Sequence, residues 1–281
     1  VRVHRFSGAG EFLDVAGAFL AEREALNNVL LGIASSSKAD PTRYEGSKYF
    51  AAALDGDRVV GAALMTPPHP LLTSPLPVAA IDALVADLAE SGFDPTGVNG
   101  LTSTSDAFAA SWCAARGRRP SIHMDMRAFE STAVIDAPAT TGRMRSATAA
   151  DEVLVGAWYR AFFEEGDLNA GAITPEENAR RAIRAGRVFI WDDGGPVAQT
   201  VLSGTTPNGA RIGGVYTPPE RRRRGYATAL VADVSRAQFA AGRKFCFLFT
   251  DLSNPTSNSI YPKVGYRPVA DFREYEFSDA P

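Results

Sequence analysis

Histidine and cysteine are scarce in this chain of 281 residues. The three histidines, His4, His69 and His123, lie in the N-terminal half at wide spacing. They form no metal-ligand pattern, so no metal is expected. The two cysteines, Cys113 and Cys246, stand far apart and outside any CxxC unit, which excludes a disulfide framework and a zinc site. No 18-residue apolar run occurs, so no membrane-spanning helix is expected. The opening VRVHRFSGAGEF breaks too early with Gly and Glu for a signal peptide. The resulting expectation is a soluble, cytoplasmic protein, monomeric or homodimeric. Excess positive charge is also missing. The formal net charge is −3, whereas proteins that wrap nucleic acid are usually basic overall. What remains is ordinary globular composition, 45% hydrophobic and 22% charged, enough for a sizeable core.

The chain reads as two halves of ordinary domain size, 1–130 and 143–281, joined by a small, polar, Pro/Gly-containing linker at 131–142. In the first half helical stretches are expected from near Glu11 to about Asn28. A hairpin follows, YFAAAL and RVVGAALM around an Asp-Gly turn. Helices are then expected over Pro77 to Ser91 and Asp106 to Arg116, and a strand at SIHMDMRAF. In the second half helices are expected over about Ala149 to Phe163 and from Thr174, an N-cap with Pro175 behind it. RVFIWDD, VAQTVLSG and ARIGGVYT read as strands, Arg223 to about Ala241 as a long helix, and KFCFLFTD as a buried strand. A short helix over Thr256 to Val264 and a strand at REYEF close the chain. The fold class is α+β, and the two halves repeat one order of elements.

The stretch VYTPPERRRRGYATAL places four arginines, Arg221 to Arg224, between a Pro-Pro turn and a helix. The first turn of a helix leaves about four N–H groups unpaired at the positive end of its dipole. Gly225 and Ala227 keep side chains off that turn, so an anion can approach the backbone. The spacing has neither the Gly-Lys-Ser/Thr ending of an NTPase P-loop nor a GxGxxG. Downstream, DLSNPTSNSIYPKVGYRPV carries Asn254, Ser257, Tyr261 and then Gly265-Tyr266.

Together Arg222-x-x-Gly225-x-Ala227 and Asn254-x-x-Ser257-x-x-x-Tyr261 resemble the two signatures of the GNAT acetyltransferase superfamily, over about Met144 to Phe277. The N-terminal half resembles a degenerate GNAT-like domain only in its order of elements. The resemblance implies tandem GNAT-like folds, each a mostly antiparallel sheet flanked by helices, with acetyl-CoA as co-substrate of the C-terminal half. It implies a bacterial two-domain N-acetyltransferase acting on a primary amine of a small molecule or peptide, by direct attack. Two strands would splay to admit the pantetheine arm, which would pair with the backbone of Val215, Tyr216 and Thr217. The loop Arg222, Arg223, Arg224, Gly225, Tyr226, Ala227 and Thr228 would hold the pyrophosphate, with its amides from Arg222 to Ala227. Asn254 would contact the pantetheine or fix a water, counting among both the catalytic and the cofactor-binding residues. Ser257 would bind the cofactor, and Tyr261, also against the cofactor, would be the general acid. A thiol at about 8.5 and a tyrosine at about 10 leave proton transfer roughly 2 kcal/mol uphill.

An alkyl amine near 10.4 is almost all ammonium at neutral pH, so a base is needed. Many relatives place a glutamate on the strand that here reads ARIGGVYT, which has no carboxylate. The candidates are Glu164, Glu165, Asp251 or a water chain. That gap keeps a second function open, a non-catalytic acyl-CoA-binding regulator.

Overall fold

The computed structural model describes residues 1–135, 140–168 and 173–279. Residues 136–139 of the expected linker lie outside the described residues. Packing gathers residues 1–128, 250–253 and those from Val269 onward into one unit, and 129–249 with 254–268 into another.

The first unit begins with β1 (Arg2–Arg5), α1 (Ala9–Ala21) and α2 (Glu24–Ala39). The helical stretches expected from Glu11 to about Asn28 are thus two helices, the second reaching Ala39. Arg23 leaves the helical region at φ −136°, and the Leu20 carbonyl in the last turn of α1 accepts from the Arg23 N–H at 3.4 Å and from the Asn27 side-chain amide at 3.0 Å. The hairpin follows as β2 (Tyr49–Asp55) and β3 (Arg58–Met65). Alternate residues of β2 enter opposite cores, Tyr49 and Ala51 on one face, Phe50 and Ala52 on the other. A strand covered on both faces reads as the unbroken apolar run YFAAAL. Then come β4 (Leu71–Thr73), α3 (Val78–Ser91), β5 (Gly97–Leu101), α4 (Thr102–Arg116) and β6 (Arg118–Ser131). Of these, β4 and β5 have no counterpart among the elements expected from sequence.

The second unit runs β7 (Arg143–Ser146), α5 (Glu152–Glu165), α6 (Pro175–Arg184), β8 (Val188–Asp192), β9 (Pro196–Thr205) and β10 (Gly209–Tyr216). It continues with α7 (Tyr226–Ala240), β11 (Phe245–Asp251) and α8 (Pro255–Ile260), and the chain closes on β12 (Arg267–Asp279). β7 to β10 are successively antiparallel, and β10 pairs with β11 in parallel. In β8, Val188 and Ile190 pack with α5 and α6, while Trp191 packs with α7. The closing strand does not end this sheet. β12 pairs antiparallel with β5, Phe272 opposite Leu101 through Glu276 opposite Gly97, so the first unit's strands run β1-β2-β3-β4-β5-β12-β6. Both units are therefore mixed α/β with mostly antiparallel pairing, the expected class.

The entry to α5 is held by an ion pair within a capping box. Asp151 accepts from the Thr148 N–H at 2.8 Å and from both terminal nitrogens of Arg145 at 2.8 Å. The Arg145 guanidinium, then the Thr148 N–H, hold the Asp151 carboxyl down to about 2 from its ordinary 3.8, against the opposing cost of burial. A depressed folded pKa gives stability that is present above the unfolded value and lost as pH falls through the folded one. The lowering corresponds to about 2 kcal/mol. Asp151→Asn is expected to lose about that much stability at pH 7 and to flatten the wild-type decline between about pH 4 and 2. Urea melts across that range read both; equal acid slopes would contradict the assignment.

Candidate functional site

β10 carries the geometry on which the site depends. Its register with β9 slips between Gly213 and Tyr216, where Gly214 takes φ +57°. Such an irregularity bends a strand and leaves residues unpaired. On the other side, registered pairing with β11 stops after Gly209–Phe245, Ala210–Cys246 and Arg211–Phe247. From Ile212 to Tyr216, β10 has no registered β11 partner; it is here, around Val215, that the resemblance implies a parting of strands. Two buried polar groups near this edge have no described partner: both ends of the Gln199 amide, registered opposite Tyr216, and the Thr217 hydroxyl. An orphaned buried polar atom costs about 1–3 kcal/mol, so such atoms mark a place where a polar occupant is favoured.

After β10 the chain makes a 3-10 turn at Pro219–Arg221. The helix expected from Arg223 starts later, at Tyr226. Arg223 takes φ +64° and Gly225 φ +83°, both left-handed. Alternation of this kind turns successive N–H groups toward one side, forming a nest for an anion. The N–H of Arg222, expected in the cradle, is instead taken by Pro219 O at 3.3 Å in the 3-10 turn. From Arg223 through Thr228 no N–H has an acceptor among the described residues. The donor row is therefore shifted one residue along the chain and ends on the first turn of α7. Its fit to a diphosphate is good: free donors, a dipole's positive end and no side chain at Gly225.

The row is anchored from residues the sequence did not single out. The Thr140 hydroxyl donates to Arg224 O at 3.0 Å, and the Tyr226 hydroxyl donates to Asp193 at 2.5 Å. Tyr226, then Thr141, then the charges of Arg221 and Arg224 lower the Asp193 pKa. In sequence, Asp193 shows only as part of a Gly-Gly turn. Arg221, Arg223 and Arg224 are exposed and enter no ion pair with a described residue. Arg222 differs: its Nη2 reaches Glu165 at 2.6 Å.

The second motif divides into two roles. Asn254 caps α8, its side chain accepting from the Ser257 N–H at 3.0 Å. Asp251 accepts from Ser253 N–H and Oγ at 2.7 and 2.6 Å, a local turn. Tyr261 is buried between Phe129 and Tyr266, ring centroids 6.2 and 6.1 Å away, and its hydroxyl has no described protein partner. Burial pushes the Tyr261 pKa up to about 12. Gly265 follows at φ +99°, where a Cβ would stand 2.4 Å from Ala133 O. Cys246 is fully buried and its thiol pushed up to about 11 by burial, an inert position.

The three carboxylates offered as the base are distinct in the fold. Glu165 is paired with Arg222 and Asp251 with Ser253. Glu164 has no described side-chain partner and lines an open cavity of about 430 Å³ with Arg160, Phe163, Leu168 and Thr174. Trp158 is core, buried against Tyr216 with centroids 6.3 Å apart. Among the described residues no group of three or more His, Cys, Asp or Glu could hold a metal ion, and no helix is long and apolar enough to cross a membrane.

Residues 200–276 match the family model described as FR47-like protein, a span that holds both motifs. None of the curated proteins matches the chain. Among solved structures it is similar to a GNAT-family acetyltransferase from Colwellia psychrerythraea, at 11% identity and TM-score 0.58, covering 99% of this chain and 100% of that one. A GCN5-related N-acetyltransferase from Sphaerobacter thermophilus gives 17% identity and TM-score 0.59, over 86% of this chain and 84% of that one. A tandem GNAT protein from the clavulanic acid biosynthesis pathway gives 14% and 0.53, over 100% and 99%. The chain has the tandem fold of the GNAT acetyltransferases, with an FR47-like region carrying both of its motifs.

Proposed function

We propose that the second unit is an acetyl-CoA-dependent N-acetyltransferase acting on a primary amine of a small molecule or peptide. The observation that carries this reading is the row of uncommitted N–H groups from Arg223 to Thr228 at the head of α7. It lies on the chain directly after a strand whose edge is left unpaired. Those N–H groups and the exposed arginines would hold the diphosphate. Val215, Tyr216 and Thr217, with Asn254 and Ser257, would line the arm. When bound, acetyl-CoA supplies an activated acetyl thioester. Tyr261 holds a proton on its hydroxyl and donates a hydrogen bond from it. Glu164, which has no described side-chain partner and lines the cavity, would receive an amine's proton.

Calorimetry with acetyl-CoA tests the donor site, with binding expected in the range of about 1 μM to 1 mM. Thiol release over a panel of amines tests transfer. No heat and no thermal shift at millimolar acetyl-CoA would end the reading. A second reading, a non-catalytic acyl-CoA-binding regulator, is favoured by one observation: two of the three candidate bases are already engaged, Glu165 by Arg222 and Asp251 by Ser253. It predicts binding without thiol release for any amine in the panel.

A further inference from the structure

Arg222 is the one arginine of Arg221–Arg224 that forms an ion pair with a described residue. Its Nε donates to Thr217 O at 2.8 Å, and its Nη2 reaches both oxygens of Glu165, at 2.9 and 2.6 Å. The guanidinium carbon lies 5.8 Å from the ring centroid of Tyr216, whose hydroxyl donates to Glu165 Oε1 at 3.3 Å. Glu165 is the last residue of α5, beside the cavity-lining Phe163 and Glu164. The contact therefore joins the anion loop to the end of the helix that borders the cavity. Both side chains are nearly half exposed, at 43% and 47%, so the pair can open without uncovering the core.

One edge of a guanidinium serves one anion at a time. Nη2 cannot hold both Glu165 oxygens and a phosphate in the same geometry. A diphosphate arriving at the N–H row meets a neutral pair at Arg222 rather than a cation.

We propose that Glu165 is a latch on the anion loop, a positioning residue that acts through Arg222. This rests on the proposed coenzyme A site. Without ligand the latch draws Arg222 toward Tyr216 and ties down the last turn of α5. A diphosphate on the donor row takes Arg222 from Glu165. The carboxylate and the end of α5 are then released beside the cavity. Filling of the donor site is thereby communicated to the acceptor side.

The test compares wild type, Glu165→Gln, Arg222→Gln and the double variant, titrated with coenzyme A and with inorganic pyrophosphate. Glu165→Gln is expected to bind both about three- to fivefold more tightly, the range of an exposed ion pair. In the Arg222→Gln background the same change is expected to have no effect. Hydrogen exchange over residues 160–168 is expected to rise when coenzyme A binds to wild type and to stay constant in Glu165→Gln. Weaker or unchanged binding by Glu165→Gln overturns the latch, since Glu165 would then orient Arg222 or stand aside. A latch effect seen with pyrophosphate but no binding of coenzyme A keeps the latch and removes the acetyl-CoA reading. No binding of either ligand to any variant overturns both.

Discussion

Tyr261→Phe is expected to lower kcat about 100-fold or more while leaving the affinity for coenzyme A within about twofold. The substitution keeps the ring between Phe129 and Tyr266 and removes only a hydroxyl that no described residue engages. The packing loss is therefore small, and the effect is expected to fall on the hydroxyl proposed to meet the departing sulfur. Burial raises the Tyr261 pKa to about 12. Against a thiol near 8.5, full proton transfer is uphill by about 3.5 units, or about 5 kcal/mol. Sequence reasoning, using an ordinary tyrosine, places this at about 2 kcal/mol. With the larger gap, Tyr261 in its proposed role would donate a hydrogen bond and stay protonated until sulfur basicity had fully developed. It also keeps Tyr261 protonated throughout the neutral and mildly alkaline range, so no fall in rate below about pH 11 should come from its ionisation. The same elevation means that its contribution to stability, present below pH 10, is lost as pH rises through about 12. Steady-state kinetics with any amine that supports thiol release, paired with calorimetry, separates kcat from affinity. An unchanged kcat removes Tyr261 from the chemistry.

What the sequence could show follows from how local each feature is. The hairpin at Gly56 and the Thr174 cap are set by neighbouring residues, and both stand where they are expected. The position of the break between α1 and α2 is not local in this sense: Arg23 and Asn27 are ordinary helix residues until the Asn27 amide finds Leu20 O. β4 is three residues inside PPHPLLTSPLP, too short to show a period of its own. The start of α7 lies three residues beyond the expected Arg223 because arginine is a good helix former, and nothing in its propensity signals that Arg223 is left-handed. The site shows the same pattern. Gly225, Tyr261 and Asn254 are legible as spacing, because a motif is a local object. Glu165 is legible only as a carboxylate, since its partner Arg222 lies 57 residues away. β12 is legible as a strand, yet its partner β5 lies far back along the chain.

Gly225→Asp is expected to weaken coenzyme A binding by about 100-fold, or about 3 kcal/mol. Two terms add. Gly225 sits at φ +83°, where an L-residue with a Cβ costs about 1–2 kcal/mol. That cost is one of backbone conformation, because a Cβ there would meet only Thr140, no closer than 3.8 Å. The second term is electrostatic. A carboxylate at the N-cap of α7 accepts from the N–H groups that follow it, so it occupies the same donors that a diphosphate needs. Its charge then repels what it has not already displaced. Gly225→Asn separates the terms, because asparagine tolerates left-handed backbone and caps a helix but carries no charge. The asparagine variant is expected to lose about tenfold in affinity, and the difference between the two isolates the charge. Salt dependence gives a further readout: raising ionic strength should narrow the gap between Asp and Asn more than the gap between Asn and wild type. Folding should survive in both, since the position is exposed and an N-cap side chain offsets part of the strain. Wild-type affinity in Gly225→Asp would mean that the anion does not sit on the N–H row of Arg223 to Thr228, and the donor site would have to be sought elsewhere in the fold.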